Sequence, residues 1–372
     1  MPVDSSRDVI LVWADRRAGH ETLLGQIDAA IVSPDDAVLT TARKGLGPGI
    51  RRQGTRNRDD ETASGSREPW VDANLHLYAL GQRLLKFDPP PAERSVPFET
   101  LELALVEARM MGSNCILDPE PRYREALLKS DPKALEAWRS LGRTIRWLKQ
   151  NAGLFGRPSF PAITALIDPA SAMSMEIANL LYRRNGSPRL VTAVPTPDPG
   201  RLTVLSAAAL KTVPPAAYQH AAAGSTVVID SAVQGRSWKL AKQEPDRSFF
   251  AYGKGQIVAY HKPIADPSEF ALDLIDLVGY RRRLARIWNA ASAICFATQG
   301  PEPGEAVFSV INYGTPARQE VQARIHDHIR GHFNKATLLT PESEVATLKI
   351  ARRGSATEVF IPLNRAAVVR FG

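Results

Sequence analysis

The stretch "LELALVEARMMGSNCILDP", Leu101 to Pro119, decides the fold class of this chain. With Phe98 just upstream, Leu101, Leu105 and Ala108 recur at helical spacing on one face, and Gly112 supplies the stop that helix ends favour. The run that follows, ending at Asp118, is too short for a helix and apolar throughout, the pattern of a strand buried on both faces. A helix that feeds a buried strand without room for a hairpin predicts parallel α/β units.

Working outward, the same grammar holds towards the N-terminus. "DVILVWAD" (Asp8 to Asp15) reads as a buried strand, and "HETLLGQIDAAI" carries Leu23, Leu24, Ile27 and Ile31 on a helix face. "DDAVLTTARKG" reads as a second strand. "DANLHLYALGQRLLKF" reads as one helix with Leu75, Tyr78, Leu84 and Leu85 inward and Asp72 as N-cap. Three strands are therefore expected before Phe155, with a helical stretch from Arg122 closing a first segment, 1–157. After the hinge "GRPSFP", strands separated by single helices predict a flavodoxin-like, doubly wound parallel sheet over 158–283, with Asp266 capping its last helix. From 284 to 372, short β runs divided by turn residues predict an antiparallel β-sandwich.

The bulk numbers fit several folded domains: 372 residues, 44% hydrophobic and 23% charged. The net charge of +8 favours solubility without naming a partner. Arg43, Lys44, Arg51, Arg52, Arg56 and Arg58 put six positive charges into one loop. The two cysteines, Cys115 and Cys295, sit in apolar runs and read as buried thiols. No apolar run reaches the length of a membrane span, and the N-terminus lacks the pattern of a secretory signal. As it stands the chain reads as cytoplasmic, with no membrane partner.

The unit "YGKGQIVAYHKPIADPSEFALDLIDLV" followed by a small sandwich resembles the rear half of glycoside-hydrolase-like proteins of the family 42 β-galactosidase layout. The stretch "LELALVEARMMGSNCIL" is similar to the last barrel turn of that group. The resemblance implies a partial (β/α)8 barrel over 1–157, a glutamine-amidotransferase-like trimerisation domain over 158–283, and a C-terminal sandwich. It further implies a carbohydrate substrate or ligand, a homo-oligomer and no cofactor or metal. Eight strands and about 250 residues close such a barrel, so the chain is expected to lack the front of its barrel, and any targeting signal with it.

In parallel α/β architectures reactive residues gather at the C-terminal ends of strands. That rule selects Asp15, Arg43, Lys44 and Asp118, with Glu120 close behind. Glycoside hydrolysis needs two carboxyl groups across the scissile bond, so Asp15 and Asp118 are the candidate catalytic pair. The competing reading is that each caps the next helix or pairs with an arginine. The family uses two glutamates on barrel strands; no strand here ends in glutamate, and neither role is carried over. Arg43, Lys44, Trp70 and Glu120 are the candidate sugar contacts. Trp70 either stacks on a ring face or anchors the following helix.

The stretch "ARKGLGPGIRRQGTRNRDDE" matches no nucleotide-binding motif. No aromatic stacking platform lies between Arg43 and Glu68, so a loop over the open face, or else a disordered spacer, is expected there rather than a nucleic-acid cradle. No cysteine occurs between Phe160 and Tyr280, so the middle segment reads as a scaffold, inert as an amidotransferase. In "ARIHDHIRGHF", His326 and His328 are expected on the solvent face of an edge strand, without a metal. The basic run Tyr280 to Arg286 reads as a solvated helix end. Two functional readings follow: a carbohydrate-active, glycoside-hydrolase-like protein of doubtful activity of its own, or a non-catalytic carbohydrate-binding or assembly module.

Overall fold

In the computed structural model the described residues are 4, 7–13, 20–45, 73–87, 97–160, 162–197, 203–230, 238–279, 285–288, 292–314, 319–326 and 332–372. The first segment contains a five-stranded sheet. Its strands are β1 (Ile10–Val12), β2 (Ala30–Val32), β3 (Arg43–Gly45), β4 (Leu84–Phe87) and β5 (Asn114–Leu117). All four pairings are parallel, in the order β2-β1-β5-β4-β3. The first strand pairs with the fifth, as first and last staves do in a barrel, but no described pairing joins β2 to β3. Among the described residues the sheet is open there, with five strands where a closed barrel has eight.

Five strands correct the expected three, and the reason is local. Ala30–Val32 is a strand rather than the end of a helix, since α1 spans only His20–Leu24. "DANLHLYALGQRLLKF" is likewise two elements. Helix α2 (Leu75–Ala79) stops before Gly81, whose φ of +89° suits glycine, and β4 follows. The apolar residues of a short helix and of the strand behind it merge into a false helical period. Within the expected second strand, Ala37–Thr41 is a 3-10 turn capped by Asp36, and only Arg43–Gly45 is extended.

The sheet has two faces with different fates. Val9, Leu11, Trp13, Leu85, Cys115 and Leu117 join the large core beneath helices α3 (Thr100–Met110), α4 (Pro121–Leu128) and α5 (Pro132–Gln150). Ile10, Val12, Val32, Leu84 and Ile116 form a small separate cluster on the opposite face. Both cysteines are buried free thiols, and burial pushes both up.

The second segment carries a seven-stranded sheet, β10-β11-β12-β9-β8-β6-β7. Its parallel part is β7 (Arg189–Val191), β6 (Ile163–Leu166), β8 (Val204–Ser206), β9 (Thr226–Ile229) and β12 (Gly255–Tyr260). In chain order this is 2-1-3-4-5, the flavodoxin-like arrangement. Strands β10 (Lys239–Gln243) and β11 (Arg247–Tyr252) add an antiparallel edge. Helix α6 (Ala172–Arg183) packs against α8 (Pro267–Val278), and α7 (Pro215–Ala222) covers β9 and β12. Asp266 caps α8 as expected, accepting from the backbone N–H of Ser268 at 2.7 Å and of Glu269 at 3.2 Å.

The third segment is two antiparallel sheets sharing one core. One is β13 (Ala285–Trp288), β16 (Gln319–His326), β20 (Ala356–Leu363) and β19 (Ala351–Arg352). The other is β14 (Ala293–Gln299), β15 (Ala306–Asn312), β21 (Ala366–Phe371), β17 (Ala336–Leu339) and β18 (Ala346–Thr347). Two expectations are corrected. Strand β16 lies between β13 and β20, not at an edge, and His326 at its end is buried. Arg286 belongs to β13, not to a helix end. His328 and residues 280–284 fall outside the described residues.

The large core crosses both segment boundaries: Trp138, Ile177, Phe296 and Tyr313 belong to one continuous cluster. Among the described residues no helix is long and apolar enough to cross a membrane, and no group of His, Cys, Asp and Glu could hold a metal ion.

Candidate functional site

Strand alternation decides which residues look onto the open face of the first sheet. Successive side chains point to opposite sides, and the register sets Ile10 beside Ile116, Ile116 beside Lys86 and Lys86 beside Lys44. Ile116 lies in the small apolar cluster of that face, so Lys86, Lys44 and Asp118 share it. The floor is apolar and its rim is charged.

Asp118 sits just past the C-terminal end of β5 with solvent access. Its carboxyl is raised above the ordinary aspartate range by loss of hydration, while Arg124 and Lys86 draw it back. Because the side chain reaches water, this direction says nothing about stability; it describes a carboxyl that holds its proton longer than a free one. Glu120 stands at the start of α4 without capping it, and its carboxylate pairs with Arg122 Nε at 3.4 Å. Arg122 in turn stacks its guanidinium 5.0 Å from the Phe98 ring centroid. The competing reading of Asp118 as a helix cap does not hold among the described residues, since α4 has no side-chain cap. The strand-end acids of the middle segment do serve backbone instead: Asp168 accepts from Ala170 N–H at 2.9 Å, and Asp230 from Ala209 N–H at 3.2 Å.

The sequence-selected residues divide cleanly. Asp118, Glu120 and Lys44 belong to this face or its rim. Arg43 neighbours Leu85 in register, a residue of the opposite face, so it and Lys44 diverge instead of acting as a pair. Asp15 and Trp70 lie outside the described residues. The sequence reading missed Lys86, because "LLKF" was absorbed into a helix; the signal available was Gly81 before it and the proline run after it. It also missed Trp13 and His20. Trp13 Nε1 donates to His20 Nδ1 at 3.1 Å, and the Trp13 ring packs against Trp138, 5.8 Å between centroids. This buried aromatic group fastens α1 and α5 under the end of β1.

No family model matches the chain, and no curated protein matches it. Solved structures do. An alpha-L-fucosidase, isoenzyme 2 of Paenibacillus thiaminolyticus, superposes over 92% of this chain and 68% of its own, with TM-score 0.50 at 9% identity. A beta-galactosidase from Bacillus circulans sp. alkalophilus covers 80% of this chain and 61% of its own, TM-score 0.44, 9% identity. A beta-galactosidase from Rahnella sp. R3 covers 82% and 58%, TM-score 0.49, 11% identity. The fold is glycoside-hydrolase-like. The chain spans between about three-fifths and two-thirds of the length of these three proteins.

Proposed function

We propose that this chain is part of a carbohydrate-active, glycoside-hydrolase-like protein, with the family 42 layout of barrel-like segment, amidotransferase-like scaffold and sandwich. Its sugar-facing surface is the open face of the first sheet, and Asp118 is the general acid that protonates the glycosidic oxygen. The observation that carries the reading is the raised Asp118 carboxyl at the C-terminal end of a parallel strand, over an apolar floor. A shift in this direction suits a proton-donating acid, and positioned acids contribute about 10²–10⁴-fold to rate. Lys86 and Lys44, on the same face, would bind hydroxyl groups of the sugar. The 4-nitrophenyl α-L-fucoside and β-D-galactoside are the first substrates to assay. Asp118→Asn should cost about 100-fold or more, and much less with a 2,4-dinitrophenyl leaving group, which departs without a proton. Since the acid acts protonated, the rate should fall as pH rises through the raised pKa, and that limb should vanish in Asp118→Asn. Equal losses on both leaving groups, or turnover untouched by the substitution, would remove Asp118 from this role.

Binding without turnover is the second reading, and the sandwich favours it. Trp288, Gln322 and Phe360 stand side by side across β13, β16 and β20. Phe360 is 48% exposed, and the guanidinium groups of Arg286 and Arg324 each lie 4.8 Å from the Trp288 ring centroid. Glycan retention abolished by Trp288→Ala, with no hydrolysis in any variant, would favour it over the first.

A further inference from the structure

The cleft where the three segments meet lies at the N-terminal end of the first sheet's strands, opposite the end that carries Asp118, and we propose that it is a second site, for a small sugar bearing a carboxylate or phosphate. Arg83 enters it from the turn before β4, Arg157 from the hinge and Arg189 from β7. No Asp or Glu is among the described residues that line it. Three arginines therefore line one cleft with no carboxylate among its described lining residues.

Their remaining contacts leave them available. Among the described residues the Arg83 guanidinium reaches only the Gly112 carbonyl, at 3.5 Å. Arg157 donates from Nε to the Gln299 carbonyl at 3.1 Å and from Nη1 to that of Gly153 at 3.4 Å, bonds that aim the group without neutralising it. Among the described residues the Arg189 side chain makes no hydrogen bond or ion pair. Glu305, which feels the charge of Arg157, is already held by Arg370 through bonds of 2.6 and 2.9 Å. Arginine forks match carboxylate and phosphate oxygens two at a time.

Size and lining narrow the ligand further. The cavity is about 220 Å³, below the roughly 300–1,000 Å³ of sites for drug-sized molecules, and suits a monosaccharide. Met111 and Phe296 give it apolar wall against which a ring can pack, which an inorganic ion would leave unused. Ser187 adds a hydroxyl, although its Oγ also donates to the Cys295 carbonyl at 3.3 Å.

Titration calorimetry on the full chain tests this with glucuronate, glucose 6-phosphate, glucose and inorganic phosphate. At least one of the two sugar anions should bind at least tenfold more tightly than glucose and than phosphate. That affinity should fall at least tenfold in 0.5 M salt and in Arg189→Ala, an exposed position whose loss leaves the fold intact by circular dichroism. Asp118→Asn should leave it unchanged, which separates this site from the catalytic reading. Silence with both anions, glucose or phosphate binding as well as they do, or full affinity in Arg189→Ala would each overturn the assignment.

Discussion

Tyr313 and Glu107 are both completely buried, and the tyrosine hydroxyl donates to the glutamate carboxylate across the boundary between sandwich and first segment. The Asn74 backbone N–H adds contacts of 3.3 Å to each carboxylate oxygen. A buried acceptor that loses its donor carries a desolvation cost, so Tyr313→Phe should lower stability by about 1–3 kcal/mol. Urea denaturation measures it, and a change within experimental error would show the bond to be idle. Glu102, one helical turn and a half earlier, makes a different case. Burial raises its pKa, while Thr144, Arg365 and Ser140 offset part of the rise and Glu342 adds to it; Thr144 Oγ1 donates at 2.6 Å. The folded state holds this proton beyond the unfolded value, about 4.3. Its stabilising contribution is thus complete below that value and is lost as pH rises through the folded pKa. Unfolding free energies across pH 4 to 8 should fall less steeply in Glu102→Gln than in the parent, and parallel curves would count against the assignment. Neither glutamate was visible in the sequence as a core residue. Leu101, Leu105 and Ala108 define one apolar face of α3, but the sandwich covers the other, and one-sided periodicity cannot announce a second partner.

At the scale of elements, what the sequence showed depended on whether a period was sustained. The strand Asn114–Leu117, the helix Pro267–Val278 with its Asp266 cap, and the change to antiparallel strands after 284 all rest on unbroken patterns. Ala30–Val32 and Leu84–Phe87 each follow closely on a five-residue helix whose apolar residues run on into theirs, so neither strand stands out as a separate pattern. With them went Lys86, and with it the charged side of the candidate site. Two glycines meet where the first segment joins the hinge. Gly112 ends α3 at φ +71°, and Gly156 in the hinge has φ +67°. The two backbones cross so closely that a Cβ on Gly156 would lie 2.6 Å from the Gly112 Cα. Gly156→Ala therefore combines a left-handed backbone cost of about 1–2 kcal/mol with overpacking of about 1–3 kcal/mol. Gly81 has φ +89° but nothing within 4 Å of its would-be Cβ, so Gly81→Ala should show the first cost alone. Thermal melts of the two variants should separate by several degrees, with Gly156→Ala lower; coincident melts would mean that the crossing relaxes freely.

Across the whole molecule, the changes of pattern near 157 and 283 do not coincide with gaps in the core. Helix α3 packs on β15 and α6 on β14, and residues from all three segments share one buried cluster. The sandwich also has a core of its own, built around Phe308, Val310, Val321 and Val359. These two facts make opposite demands on its removal. A chain ending at 283 would uncover the apolar backs of α3 and α6 and leave Glu107 without the Tyr313 hydroxyl, in a protein whose net stability is the small remainder of large terms. It should therefore bind a hydrophobic dye, aggregate and lose its sharp melting transition. The sandwich, with its inner core intact, should retain antiparallel strand structure when produced alone, at reduced stability because Ile294, Phe296 and Ile311 face solvent instead of the helices. Calorimetry of the full chain should correspondingly show a single endotherm whose midpoint drops in Tyr313→Phe. Two independent endotherms, with a soluble and cooperatively melting 1–283 fragment, would mean that the shared cluster couples nothing and that each segment folds for itself.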